Sequence, residues 1–541
     1  MPAPPLLPSP LLLLAGLLIS CSSLSTTVAA RELAGGTRPA RPAEAAVAAW
    51  LERNRERPTA LRAFVKRLPK GGDIHSHLSG AVYAESYLGW AAADGYCVDP
   101  SKPALVKPSA CIQNPSYFPA SQLLEKTALY DQLINQWSTR NLPFSGRSGH
   151  DQFFAAFAGF EPVSSSLTRQ DDMVVEVANR AALQHINYLE LMLTVQGSEV
   201  RRLGRSAGWD GDAAQTRQRL LSLGLANVVA QGSRDLETLN REIATTLACG
   251  TARAQPGCVV TVRFLQQTTR TKPLAEVFAQ LLYAFELSKA SPSVVGINLV
   301  APEDHPLALR DYTQQMRMLR FLKSHYPDVK ISLHAGELTL GLVPPEHLRF
   351  HIRQAVQLAQ ANRIGHGVDV MEEDQPFQLL EEMRKRDLLV EICLTSNEVT
   401  LNVAGDNHPF ADYKRAGVAM ALASDDEGIS RSDLSQQFLL ATLRYRLSYR
   451  DLKTLARNSL AYSFLKGTSL WTSSSYTAVQ PHCAADLPGS RTPSSRCVSF
   501  LASSDRARVQ WKLESDFAAF EALPDFQWHG PRQRRTGAQT L

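Results

Sequence analysis

Eight runs along the chain are almost wholly apolar and rich in β-branched residues. They are GGDIHSHL from Gly71, INYLELML from Ile186, CVVTVRFL from Cys258, VVGINLV from Val294, VKISLHA from Val329, RIGHGVDV from Arg363, LLVEICL from Leu388 and VAMALAS from Val418. Strands covered on both faces of a parallel sheet read this way, because neither face meets water. Between them lie amphipathic segments such as DYTQQMRMLRFLKSHYP, whose apolar residues recur at three and four. Eight strands alternating with helices predict an α/β fold, a (β/α)8 barrel. The long stretch between the first two runs holds Cys97, Cys111 and the helical EKTALYDQLINQW, and predicts an insertion over the barrel mouth. After about Leu470 the alternation fades into a C-terminal extension, residues 471–541, with one helical segment, WKLESDFAAFEAL, and a basic tail, WHGPRQRRTGAQTL.

The amino terminus follows a different pattern. Residues 6–20 are uncharged and apolar, too short and too interrupted by proline for a spanning helix of about 20 residues, which predicts a signal peptide over residues 1–20. The run closes on Leu18-Ile19-Ser20-Cys21, which looks like a bacterial lipobox with Cys21 as the lipid-bearing residue. Export is therefore expected, to the periplasm or to the outer membrane as a lipoprotein. The alternative is cleavage after Ala30 and secretion as a soluble protein. Residues 21–44 are rich in Ser, Thr, Gly, Pro and Ala and read as a flexible tether, leaving 45–470 for the barrel. Cysteine usage agrees with an oxidising compartment. Apart from Cys21 and Cys393, the remaining six fall into close pairs, Cys97 with Cys111, Cys249 with Cys258 and Cys483 with Cys497. Cys393 lies in an apolar run and reads as a buried small hydrophobe.

Composition narrows the partner class. The 541 residues are 44% hydrophobic and 20% charged, as in ordinary globular proteins, and the net charge is only +5. That is too little one-signed charge for a nucleic-acid binder, so no nucleic-acid partner is expected. Oligomeric state is not legible.

The chemistry is written at strand ends. His75 and His77 are two apart, so a pleated strand sends both to one face. His334 ends VKISLHA and Glu337 follows it; His366 sits in RIGHGVDV; Asp425 and Asp426 follow VAMALAS. Ionisable groups inside such apolar strands cost several kcal/mol unless paired or bound to metal. Barrels place their active sites at these carboxyl ends.

The stretches DIHSHLSGA, SLHAGE, RIGHG, LTSNEVT and ASDD, in that order, resemble the adenosine deaminase family of the amidohydrolase superfamily, from about Leu68 to Phe464. The resemblance implies one Zn²⁺ per chain held by His75, His77, His334 and Asp425. It also implies that Glu337 gives a proton to the purine ring, that His366 orients the attacking water and helps remove its proton, and that Asp426 meets the imidazole side of the purine. Ser79, Gly80, Phe153, Phe157 and Ala301 fall at substrate-binding positions. Two of them depart from the family pattern: Ser79 stands where an acidic residue touches ribose, and Ala301 where a glycine amide meets the purine. The implied partner is a small purine nucleoside, and the implied reaction converts adenosine, and 2′-deoxyadenosine, to inosine and ammonia. Alternatives are another aminopurine, adenine or a 5′-modified adenosine, and a non-catalytic nucleoside-binding lipoprotein.

Overall fold

The computed structural model describes residues 42–526; the segment read as a signal peptide, Cys21, most of the segment read as a tether and the basic tail lie outside the described residues. Eight parallel strands pair in sequence order: β1 (Gly71–His77), β2 (Ile186–Leu193), β3 (Thr261–Thr269), β4 (Val294–Val300), β5 (Ile331–Ala335), β6 (Arg363–His366), β7 (Leu389–Ile392) and β8 (Ala419–Leu422). The ring closes where Ser76 bridges Asp425, with the His77 N–H donating to the Asp425 carbonyl at 3.1 Å and the Asp425 N–H to the His75 carbonyl at 3.0 Å. The result is the α/β barrel that the alternating runs predict. Every residue of β1 and β2 is buried, the polar and ionisable ones included, as befits strands covered on both faces.

The largest departures from the apolar runs are in two strands. β3 begins at Thr261 rather than Cys258, because Pro256–Val259 forms a 3-10 turn and Cys258 is bonded to Cys249 there. β6 stops at His366, since His366 and Gly367 both take positive φ, 66° and 58°, and turn the chain.

The insertion after β1 carries a small antiparallel sheet (Cys97–Asp99, Ala104–Val106, Phe118–Pro119) and the helices Thr127–Gln136 and Gly149–Ser164. The segment beyond Leu470 includes the helix Asp505–Glu521, which is tied to the underside of the barrel: Glu521 accepts from Lys453 Nζ at 2.7 Å, and Asp516 from Asn187 at 2.8 Å, beside the start of β2. The disulfides are Cys97–Cys111, Cys249–Cys258 and Cys483–Cys497, each closing a short loop, and Cys393 is free and buried. Among the described residues, no helix is long and apolar enough to cross a membrane.

Low in the barrel interior Arg363 is wholly buried between two carboxylates, with Nη2 2.5 Å from Glu190 and Nε 2.5 Å from Glu391, and its guanidinium lies 3.7 Å from the centre of the Phe464 ring. A buried charge persists only with such pairing. The arrangement holds Glu391 pointing up the barrel, towards His75.

Candidate active site

Four strands deliver the ionisable residues to one place. His75 and His77 come from β1, His334 from the end of β5, His366 from the end of β6, and Asp425 and Asp426 from the turn after β8. Donor atoms of His75, His334, His366 and Asp425 lie within 4.8 Å of one another, and those of His77, Asp425 and Asp426 form an overlapping group of three within the same distance.

The outer ring nitrogens decide what the cluster can hold. Nδ1 of His75 faces Glu391 at 2.6 Å, Nδ1 of His77 faces the Gln267 side-chain oxygen at 2.8 Å, and Nδ1 of His334 faces the Asn298 side-chain oxygen at 2.7 Å. A ring nitrogen against an oxygen acceptor carries the proton, so each Nε2 is left to act as a ligand. These nitrogens converge: Nε2 of His77 and His334 are 3.1 Å apart, and Asp425 Oδ1 is 3.4 Å from Nε2 of both His75 and His77. Nε2 of His75 is buried without a hydrogen-bond partner. Lone pairs and a carboxylate brought together in a buried site need a cation among them. Three imidazoles and one carboxylate are a donor set suited to a divalent transition metal, with the outer partners fixing ring orientation.

Burial works against a charge on His75, but Asp425 and Glu391 outweigh it and hold the ring up at about 10, so a proton competes with metal for this nitrogen. The outer carboxylate is worth about 10- to 100-fold in metal affinity at such sites. Glu391→Gln is therefore expected to weaken metal binding by that factor, read by competition with a chelator of known affinity.

Two carboxyls beside the cluster have the opposite character. Burial, reinforced by the charges of Asp425 and Glu303, pushes Glu337 well above the usual carboxylate range, and burial with the Asp425 charge does the same to Asp426. Asp425 itself is held far below it, because the approach of His75 at 3.4 Å and the charges of the surrounding histidines override its burial. Acid and anion are thus separated by environment along one short path. Glu337 is also fixed in place. Glu303 accepts from the N–H groups of Gly336 at 3.2 Å and Glu337 at 2.9 Å, and is itself anchored by His351 at 2.6 Å.

Gly80 has a definite reason to be glycine: a Cβ there would stand 1.5 Å from Asp426 Oδ1. Gly80→Ala is expected to push the Asp426 carboxyl aside, with a rise in KM and a fall in kcat at unchanged metal content. Ala301 takes φ of 83°, a conformation that glycine adopts freely and alanine does not, at the position where a glycine would be expected. His366 and Asp425 also lie in the left-handed region, at 66° and 61°; strain of this kind concentrates at functional sites.

The remaining positions that the resemblance assigns to substrate are less sharply defined by their contacts. Ser79 is half-buried and its carbonyl accepts from the Tyr87 hydroxyl at 2.7 Å. Phe153 and Phe157 share one helix face with ring centres 5.9 Å apart, Phe153 deep in the core and Phe157 partly exposed. Sequence reasoning missed Glu391, Gln267, Asn298 and Asn397, the outer partners of the four histidines. The signals available were Glu391, a carboxylate inside the apolar LLVEICL, Asn298, an amide inside VVGINLV, and the place of Asn397 in LTSNEVT.

A sequence profile described as adenosine deaminase matches residues 139–469. An adenosine deaminase of Enterococcus faecalis is 33% identical over 138 residues, 25% of this chain and 37% of that protein. One from Serratia proteamaculans is 31% identical over 146 residues, 27% and 41% of the two chains. These alignments span less than half the length of either relative. An Arabidopsis N6-mAMP deaminase superposes over 75% of this chain and 96% of its own, with a TM-score of 0.50 at 21% identity, a likeness of fold.

Proposed function

Since the chain belongs to the adenosine deaminase family, we propose that it is a zinc-dependent hydrolytic deaminase converting adenosine, and 2′-deoxyadenosine, to inosine and ammonia outside the cytoplasm. One observation carries the reading: the inward Nε2 atoms of His75, His77 and His334 converge with Asp425 beside the raised carboxyls of Glu337 and Asp426.

When bound, a divalent cation at the three histidines and Asp425 supplies a water that ionises near neutral pH, the nucleophile that hydrolytic deamination needs. The chain's own residues do the rest. Glu337, protonated, gives its hydrogen to the ring nitrogen next to the carbon that bears the amino group, so that the ring accepts the attacking oxygen. Glu303 accepts from the Glu337 backbone N–H and so fixes the main chain from which this carboxyl projects. His366 orients the attacking oxygen. Asp426, with one buried oxygen lacking a protein partner, offers a hydrogen-bonding site to the imidazole side of the purine. The hydrogen of the added hydroxyl then passes to the amino nitrogen, the C–N bond breaks to release ammonia as that oxygen becomes the carbonyl of inosine, and the proton lost by the water returns Glu337 to its acid form.

The predicted leader and the three disulfides support action in an oxidising compartment. The identity of the aminopurine rests on Ser79 and Ala301. Ammonia release should be compared side by side for adenosine, 2′-deoxyadenosine, adenine, adenosine 5′-monophosphate and 5′-methylated adenosine. The highest kcat/KM is expected on the two unmodified nucleosides; a preference for adenine or a 5′-modified nucleoside would transfer the assignment to that substrate.

A further inference from the structure

Behind His366, on the side away from the metal ligands, hydrogen bonds run in series through buried side chains. His366 Nδ1 lies 3.0 Å from Asn397 Nδ2, Asn397 Oδ1 lies 3.1 Å from His408 Nε2, and His408 Nδ1 accepts from the backbone N–H of Phe410 at 3.1 Å. His366 and Asn397 are fully buried and His408 is 1% exposed, so bulk water completes none of these partnerships. Phe410 opens the helix Phe410–Ala416, whose first N–H groups reach no carbonyl of their own helix. His408, two residues upstream, supplies the missing acceptor.

That last bond sets the direction of the whole series. A backbone amide only donates, so His408 Nδ1 carries no proton. Burial, with the charge of Arg444, holds His408 down at about 4, and the single proton of the neutral ring therefore sits on Nε2 and is given to Asn397. The asparagine must then turn its oxygen to His408 and its NH2 to His366. Flipping the amide would set NH2 against Nε2–H, two donors face to face in a dry site with no acceptor for either. His366 Nδ1 is accordingly an acceptor. The ring's own proton is left on Nε2, which is buried and has no protein partner.

The geometry points to Asn397 and His408 as positioning residues that lock His366 in its Nε2–H tautomer, so that His366 meets the attacking oxygen as a hydrogen-bond donor. A nitrogen that already carries hydrogen has no lone pair with which to take a proton from water or to ligate a metal. The orienting role of His366 stands, and removal of the water's proton passes to another group. The same rule sorts the four histidines of the cluster. His75, His77 and His334 have oxygen behind them within hydrogen-bond reach and turn a lone pair inward, whereas His366 Nδ1 has an NH2 at 3.0 Å and its only facing carboxyl oxygen, Glu337 Oε1, at 3.7 Å, beyond hydrogen-bond reach, and turns a proton inward.

The consequence for catalysis rests on the deaminase reading, but the tautomer does not, and it is measured without turnover. Neutron diffraction from deuterated crystals of the metal-loaded protein, free of substrate, is expected to show deuterium on His366 Nε2 and none on Nδ1. Deuterium on Nδ1 would overturn the proposal even if adenosine is deaminated, whereas failure to deaminate any aminopurine would sink the functional reading and leave the deuterium where it is. In Asn397→Asp an oxygen replaces the NH2 at constant size. Deuterium is expected to appear on His366 Nδ1, and kcat to fall by about 10²-fold with KM little changed and metal content intact. His408→Gln keeps a donor near the Nε2 position and should retain most of kcat, while His408→Leu should lose it as Asn397→Asp does. Wild-type kcat in Asn397→Asp, or equal losses in the two His408 variants, would mean that the series only packs the site.

Discussion

Glu337→Gln is expected to lower kcat for deamination by about 10²- to 10⁴-fold, the usual worth of a general acid, while metal content and fold stay as they are. Glutamine fills the same space and can still receive the backbone clamp from Glu303, but it has no acidic hydrogen to give to a purine nitrogen. The sign of the pH dependence follows from the environment. A carboxyl in the ordinary range is almost fully ionised at pH 7 and is no acid catalyst. Burial and the charges of Asp425 and Glu303 raise Glu337 well above that range, so its protonated, active form persists towards neutrality. Activity should therefore fall as pH rises through the elevated pKa, and this alkaline limb should vanish from the residual rate of the variant. A pH–rate profile of kcat for both proteins checks this; an unchanged limb in Glu337→Gln would assign it to another group.

Removing the metal is expected to abolish turnover and to lower stability together. Without a cation, the inward nitrogens of His75, His77 and His334 and the Asp425 carboxylate have only one another and a competing proton. Ligand binding to the folded state alone adds RT ln(1 + [L]/Kd), about 4 kcal/mol when free metal is a thousand times Kd. Thermal unfolding before and after dialysis against a chelator should therefore show a clear drop in Tm, reversed by Zn²⁺ along with activity. The loss should be steeper at acid pH, where the proton on His75 wins more often. Full activity in protein shown to be metal-free would remove the basis of the proposed chemistry.

The site's principal residues were legible because each breaks a local rule. Histidines and aspartates at the ends of apolar strands are expensive to bury, and six of these groups come from four strands that only barrel closure unites. Cysteine pairing was legible through loop length. The outer partners were not, because Asn298, Gln267 and Asn397 are ordinary polar residues until register places each behind a particular ring. Nor was the difference between His366 and the other three, which lies in which end of an amide faces the imidazole. Ala301 is a middle case: its departure from glycine could be seen in the chain, and its positive φ only in the fold. The helical spacing of Phe153 and Phe157 gave a shared face but not what that face meets.

The most direct test of the central claim is deamination of adenosine by the zinc-loaded protein in oxygen-18 water, followed by mass spectrometry of the product and an assay for ammonia. One heavy oxygen in the base of inosine, with one ammonia released per product, is the predicted result. Release of free adenine, or no reaction with any aminopurine at full metal occupancy, would contradict it.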